Sequence, residues 1–217
     1  MDFQNPPINK LISMEIDRFN TFTIGVGGQG VIRATHILAD AALAEDHHVR
    51  TAETHGMAQR GGSVSGYLRF GKEVHGPLIP KQGAHIIISL EPSEALRSLN
   101  YADKNTYYFI NTTKIMPLSI YQDRKLKYPT IEEIRTELSK ITSHVHFIDA
   151  TKLAEQAGNI KTMNVVLLGM VLGSGKMPLL RETLENSIKK FVPAKALDVN
   201  RRAFELGFQQ GKKTEEI

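Results

Sequence analysis

The chain has 217 residues, of which 41% are hydrophobic and 23% charged, as in an ordinary globular domain. A net charge of +4 with scattered Lys and Arg residues argues against nucleic-acid binding. The absence of cysteine excludes disulfides, cysteine nucleophiles and iron–sulfur clusters ligated by this chain. The longest apolar run, residues 165–172, is far shorter than the ~20 residues of a membrane span, and the N-terminus lacks a signal-peptide pattern. A soluble, cytoplasmic protein without a membrane contact is therefore expected.

Residues 1–17 are predicted to form an N-terminal extension, because Asn5-Pro6-Pro7 blocks regular structure, and residues 18–217 to form a single domain. A strand over Phe19–Val26 runs into the glycine turn Gly25-Val26-Gly27-Gly28-Gln29-Gly30. The helix after it is predicted to bury one stripe of apolar residues at 3–4 spacing: Val31, Ala34, Leu38, Ala41 and Ala42.

A short strand over His48–Ala52 leads into a second unusual stretch, residues 53–62. Residues 63–70 then alternate in polarity, which predicts a strand with one wetter face. Because no crossover helix fits between these two strands, we expect the later one to pair antiparallel with a neighbour.

The rest of the chain alternates strands and helices and then becomes helical. A buried central strand is predicted over Ala84–Leu90, and strands over Tyr107–Ile110 and Val145–Ile148. Helices are predicted after Glu91, after a capping box at Thr130, after Asp149 up to Gly158, and over Thr162–Leu172, Arg181–Phe191 and Pro193–Phe208. The predicted fold is α/β: a three-layer α/β/α sandwich with a Rossmann-like mixed sheet and a helical C-terminal third.

The glycine turn matches G-x-G-x-x-G, in which bare backbone lets a phosphate approach the first N–H groups of a helix. Alone this pattern is weak, since tight strand-to-helix turns also use glycine. In a nicotinamide dehydrogenase an acid about 20 residues later would bind the ribose, and Glu53 stands near that place. No second catalytic unit follows, so a free-standing dehydrogenase is the weaker interpretation.

Two further patterns are rejected. Gly173-Ser174-Gly175-Lys176 lacks the flanking residues of a phosphate loop and ends a helix, so it is interpreted as a C-terminal glycine cap. The eight histidines form no spaced cluster with carboxylates, and no metal site is predicted.

Four segments in order give the chain a family resemblance: residues 25–31, the His55-Gly56-Met57-Ala58-Gln59-Arg60-Gly61-Gly62 run, residues 77–80 and residues 90–92. Together they resemble the beta subunit of indolepyruvate:ferredoxin oxidoreductase, the equivalent of the gamma subunit or domain of the 2-oxoacid:ferredoxin oxidoreductases. The resemblance covers about residues 20–210. The second run is the more specific and indicates the arylpyruvate branch.

The resemblance implies a subunit of a heteromeric complex that oxidatively decarboxylates a 2-oxoacid such as indolepyruvate. Coenzyme A accepts the acyl group, and two electrons pass through [4Fe-4S] clusters to ferredoxin. Thiamine diphosphate, its Mg²⁺ and the clusters belong to the large alpha subunit, so this chain holds no cofactor and is inactive alone. The lack of cysteine agrees with that division. Isolated, the chain is expected to be able to self-associate through its uncovered docking surface.

The resemblance also suggests site residues, although no catalytic residue is assigned to this chain. Candidates for binding the phosphates of coenzyme A are Gly25, Gly27, Gly28, Gln29 and Gly30. Candidates for contact with the substrate or the partner are His55, Gln59, Arg60, Gly61, Gly62 and Glu91. Turn or interface architecture explains these residues equally well. Two other functions stay open: a stand-alone NAD(P)- or flavin-binding oxidoreductase, and a homo-oligomeric binding or scaffold protein.

Overall fold

The computed structural model describes residues 16–56, 61–116 and 127–214. In chain order its elements are β1 (Phe19–Val26), α1 (Val31–Ala44), β2 (His48–His55), β3 (Ser63–Gly71), β4 (Ile86–Ser89), α2 (Pro92–Arg97), β5 (Tyr107–Asn111), α3 (Ile131–Ser139), β6 (Val145–Ile148), α4 (Ala150–Ala157), α5 (Met163–Gly173), α6 (Arg181–Phe191) and α7 (Leu197–Lys212). Short 3₁₀ turns lie at Leu99–Tyr101, Ile160–Thr162 and Ala194–Ala196. Most of the predicted N-terminal extension, residues 1–15, lies outside the described residues.

The six strands form one mixed sheet in the order β2-β3-β1-β4-β5-β6. Strands β1, β4, β5 and β6 are parallel, with Thr21 opposite Ile86 where β1 meets β4. Strand β3 is antiparallel to both of its neighbours, β1 and β2. The carboxyl ends of the parallel strands and the β2–β3 connection therefore share one edge of the sheet, here called the carboxyl edge.

The sheet separates two apolar cores, which gives the three-layer α/β/α sandwich predicted from the sequence. Successive residues of β4 point to opposite sides: Ile86 and Ile88 pack under α1 and α4–α7, whereas Ile87 packs under α2 and α3. The larger core contains most of the helical C-terminal third.

Several helix ends follow the local chemistry of the sequence. Thr130 and Glu133 form the predicted capping box at the start of α3. Asp149 caps α4, which ends at Gly158 with φ 110°. Gly175, with φ 66°, follows the end of α5 and donates its N–H to the Leu172 carbonyl, consistent with the predicted glycine cap.

Helices α5 and α7 form the tightest packed region of the fold. Every residue of α5 is buried. Glycines line the contact between the two helices, and a Cβ added to any of them would overlap backbone atoms of the other helix: Gly169, Gly173, Gly207 and Gly211. The all-round apolar sequence of α5 thus reflects complete burial between the sheet and α7.

Several details differ from the sequence-based expectations: β4 covers Ile86–Ser89 instead of 84–90, α7 covers Leu197–Lys212 instead of 193–208, and two further differences concern β3 and β2. The face of β3 predicted to be wetter is largely buried, since Tyr67 is only 8% exposed and its hydroxyl meets that of Tyr101 at 2.8 Å. This burial follows from the 3₁₀ turn packing on that side of the sheet. Strand β2 is also three residues longer than predicted and ends at His55. No helix among the described residues has the length and apolar character needed to cross a membrane.

Candidate functional site

The two glycine stretches of the sequence meet at the carboxyl edge. Gly27 donates its backbone N–H to the carbonyl of Gly62 at 2.9 Å, and Gly56 donates to Ser63 across the base of the β2–β3 connection. Because β3 lies antiparallel beside β1, its first residues stand next to the end of β1. The motifs are therefore neighbours in space although about 30 residues separate them in the chain.

The glycine turn between β1 and α1 is locked by its own glutamine. The Gln29 side chain accepts the Val26 N–H at 2.7 Å and donates to the Leu90 carbonyl at 2.9 Å. Gly28 and Gly30 have φ of 102° and 86°, a region that favours glycine. The Gln29 side chain is thus used inside the fold, where it joins the turn after β1 to the end of β4.

A cleft of about 600 Å³ opens beside this turn on the α1 side of the sheet. The end of the glycine turn, residues 28–30, forms one wall. The other walls come from α1, from the chain after β5, and from the starts of α4 and α5: Arg33, Thr113, Ile115, Thr151, Ile160, Lys161, Met163 and Asn164. The volume lies in the usual range for small-molecule sites.

The charge in this cleft is positive. Arg33 and Lys161 both line it and are exposed, and neither side chain makes a hydrogen bond or ion pair within the part of the chain that the structure describes. The first turn of α1 carries no acidic residue, and its cap residue Gly30 offers no side chain to the free N–H groups. A 14-residue helix that begins uncapped adds partial positive charge at its N-terminus. The cleft is therefore suited to an anion such as a phosphate.

Glu91 lies behind one wall of the cleft and is fully buried. Its Oε2 accepts the Glu94 N–H at 3.1 Å and the Ser93 hydroxyl at 2.6 Å. Its Oε1 accepts the Ile115 N–H at 3.2 Å and the hydroxyl of Tyr128. A carboxylate with four donors has no free position for a substrate, so its role in this fold is to hold neighbouring chain segments.

The other candidate residues fall into three groups. Gly25 is packed between Gln29, Leu90 and Val31, so it serves the turn rather than facing the cleft. Gly61 has φ 81° and open space around it, next to the bonded Gly62. Gln59 and Arg60 lie outside the described residues, as does the side chain of His55, and their predicted contacts stay predictions.

Glu53, the candidate ribose acid of the dehydrogenase interpretation, is engaged elsewhere. Its Oε1 lies 2.6 Å from Nε2 of His36, and neither residue lines the cleft. His144 stacks on Tyr107 and His146 stacks on Phe109, where β5 pairs with the edge strand β6. No three metal-binding side chains come together in residues 16–56, 61–116 and 127–214.

Comparison with known proteins decides the family. The family model described as pyruvate ferredoxin/flavodoxin oxidoreductase matches residues 20–210. The chain belongs to this family. Among its relatives, indolepyruvate oxidoreductase subunit IorB of Archaeoglobus fulgidus is 44% identical over 193 residues, which are 89% of this chain and 95% of that protein.

Solved structures of the family share the fold. The gamma subunit of a keto/oxoacid ferredoxin oxidoreductase from Geobacter sulfurreducens matches with a TM-score of 0.65 at 17% identity, over 90% of this chain and 99% of that one. The 2-oxoglutarate:ferredoxin oxidoreductase of Magnetococcus marinus, solved with 2-oxoglutarate, coenzyme A and succinyl-CoA, matches with a TM-score of 0.67 at 16% identity. There the match covers 92% of this chain and 32% of that one.

Sequence reasoning missed part of the cleft of this family member. Arg33 lies outside the apolar stripe of its helix, as solvated helix residues do, and Lys161 lies more than 130 residues from the glycine turn, so neither has a local signal. One available signal was the polar run after β5, which includes Thr113, since ligands in α/β folds bind beyond the carboxyl ends of parallel strands. Asn164, a buried polar residue in the otherwise apolar α5, donates to the Gly30 carbonyl at 3.3 Å.

Proposed function

We propose that the chain is the subunit without cofactors of an indolepyruvate:ferredoxin oxidoreductase. The observation that carries this proposal is the 44% identity to the Archaeoglobus fulgidus subunit over nearly the full length of both proteins. In the proposed reaction, the 2-oxoacid, coenzyme A and two oxidised ferredoxins yield the acyl-CoA, CO₂, a proton and two reduced ferredoxins.

The division of labour between subunits follows from the chemistry of this chain. It contains no cysteine, so cysteine-ligated clusters in the complex belong to another chain. We assign thiamine diphosphate, Mg²⁺ and the clusters to a large partner subunit. Those cofactors would supply the decarboxylation and the electron transfer, and this chain would supply part of the binding surface for coenzyme A.

The contribution of this chain is proposed to be binding of coenzyme A phosphates in the cleft beside the glycine turn. Arg33, Lys161 and the uncapped start of α1 provide two full charges and free N–H groups around one opening. Within the turn, the glycines at 28 and 30 line the cleft, whereas those at 25 and 27 shape it.

The first experiment tests the complex. The chain is co-expressed with its thiamine-binding partner, purified without oxygen, and assayed for reduction of an electron acceptor that depends on both indolepyruvate and coenzyme A. A stable complex with that activity is expected, and the chain alone should be inactive. Failure to form a complex with such a partner would refute the proposal.

A second experiment tests the cleft. The double variant Arg33→Ala/Lys161→Ala should raise the KM for coenzyme A about a hundredfold, because each lost charged contact to a phosphate weakens binding by about 1.5 kcal/mol. The KM for indolepyruvate should stay within about twofold. Lys195→Ala removes an exposed charge in the 194–196 turn, away from the cleft, and is the matched control.

Arg60 gives a separate test of the second motif. It stands before Gly61 and Gly62, where close approach of the backbone is easy. Arg60→Ala is expected to weaken use of coenzyme A or of the 2-oxoacid more than it weakens assembly. Loss of the complex on size-exclusion chromatography would instead make Arg60 an architectural residue.

A further inference from the structure

The Glu91 carboxylate accepts more hydrogen bonds than the cap of a short helix requires. An N-cap residue uses one side-chain oxygen to accept a backbone N–H of the first turn. Here Oε2 alone does this work, through the N–H of Glu94 and the hydroxyl of Ser93. The second oxygen, Oε1, points away from α2 toward two other parts of the chain.

Oε1 joins the chain after β5 to the chain before α3. It accepts the N–H of Ile115, four residues after β5, and the hydroxyl of Tyr128, three residues before α3. The Tyr128 oxygen also accepts the N–H of Ser93 at 3.2 Å, which closes a ring of bonds around the carboxylate. One buried side chain thus fixes both ends of the connection between β5 and α3.

The start of this connection, residues 112–116, contributes to a wall of the basic cleft. Thr113 and Ile115 line it, while the next exposed apolar residue, Met116, follows directly. Along residues 112–116, the backbone N–H of Thr112 is bonded to the Ile148 carbonyl, and that of Ile115 is bonded to Glu91. The position of Ile115 therefore depends on the carboxylate more than on the sheet.

The charge of Glu91 matters as well as its shape. Two of its four donors, the N–H groups of Glu94 and Ile115, are backbone groups that cannot accept in return. A glutamine would place its NH₂ group against one of them and leave that N–H without an acceptor. Tyr128 is a permanent donor at neutral pH, since burial and then the bond to Glu91 raise its pKa above the ordinary tyrosine value.

We infer that Glu91 is a positioning residue for the ligand of the cleft: by holding Ile115 it sets the wall that faces Arg33 and Lys161. This inference rests on the proposed function for the identity of the ligand, coenzyme A. The hydrogen bonds from which it is built do not depend on that function.

The test combines a structural and a kinetic measurement on Glu91→Ala, which removes both acceptor oxygens and therefore the acceptor of the Ile115 N–H. In the full chain, amide hydrogen exchange at Ile115 should accelerate about tenfold while exchange at Ile88 in β4 stays within about twofold. In the assembled enzyme, the KM for coenzyme A should rise about tenfold with kcat within about twofold. Glu132→Ala, at an 81% exposed side chain on α3, is the control and should change neither.

Tyr128→Phe provides the second variant: it keeps the bond from the Glu94 N–H to Glu91, removes one donor from Oε1, and takes away the acceptor of the Ser93 N–H. It should raise the KM for coenzyme A about threefold, and it is the deciding variant if Glu91→Ala does not fold. Unchanged exchange at Ile115 overturns the inference, and so does a loss of kcat at unchanged KM. A wild-type enzyme without dependence on coenzyme A would refute the proposed function, while the exchange measurement would still judge the role of Glu91.

Discussion

Glycine serves opposite purposes in the helix pair α5–α7 and in the turn between β1 and α1. In the helix pair, the glycines let two backbones touch, and added Cβ atoms would overlap the opposing chain. In the turn, Gly28 has nothing within 4 Å of an added Cβ but has φ 102°. In the helix pair, glycine allows close backbone contact. In the turn, glycine allows a positive φ next to open space. Substitutions at the two places should therefore fail for different reasons and by different amounts.

The largest effect is expected for Gly207→Ala in α7. Its Cβ would overlap the carbonyl oxygen of Val166, a backbone atom in a fully buried helix that cannot move aside. We expect a loss of about 3 kcal/mol or more in the free energy of unfolding, measured by urea denaturation. Gly76→Ala, where an added Cβ meets nothing, is the control. A stable Gly207→Ala protein would mean that the two helices can separate without cost.

Gln29→Ala should have the next largest effect. The substitution leaves the Val26 N–H without its acceptor and removes one of two amide donors to the Leu90 carbonyl, the other being Asn111 at 3.1 Å. The expected loss is about 2 kcal/mol, because part-buried hydrogen bonds contribute about 1 kcal/mol each. If stability were unchanged, Gln29 would be available for a ligand after all.

Gly28→Ala should cost about 1–2 kcal/mol through backbone strain alone, since the added methyl group has free space. The comparison becomes sharper when the same Gly→Ala change is measured at positions 28, 207 and 76 in one series. A cost at position 28 equal to that at 207 would contradict the distinction drawn between the two regions.

The smallest effect concerns the pH dependence of stability at His146 in β6, near Lys176, which follows α5. Burial, helped by the nearby charges of His144 and Lys176, lowers the pKa of His146. Because the unfolded chain binds this proton near pH 6.5 and the folded chain does so only at lower pH, its contribution to stability is complete above about pH 6.5 and is lost as the pH falls. His146→Phe, which keeps the stacking on Phe109, should reduce the stability lost between pH 7 and pH 5 by under about 1 kcal/mol. An identical loss in the variant would contradict the assignment.

The sequence was sufficient for those parts of the fold that local patterns determine. The glycine turn, the capping box at Thr130 and the buried central strand β4 follow from neighbouring residues, and the structure confirms them. The burial of Tyr67 could not be read in this way, since it depends on Tyr101 arriving from a different segment. Long-range packing, not local preference, sets such details.

The candidate site shows the same limit. The two motifs could be found from their residues, and their family resemblance is confirmed. Their contact through Gly27 and Gly62 follows only from the strand order, and the presence of Arg33 and Lys161 in one cleft follows only from the packing of α5 beside α1. The engagement of Gln29 and Glu91 within the fold was equally hidden, because a polar side chain in a motif looks the same whether it faces a ligand or a backbone amide.

The bond from Gly27 to Gly62 has a consequence for how this protein can be dissected. Donor and acceptor both belong to the main chain. Single side-chain substitutions therefore do not remove this hydrogen bond, and they do not measure its contribution to stability. Its contribution becomes visible when the Gly27 amide itself is altered, for example by semisynthesis with an ester linkage at that position. The hydrogen bond that connects the two glycine stretches is thus formed by main-chain atoms and does not depend on side-chain identity.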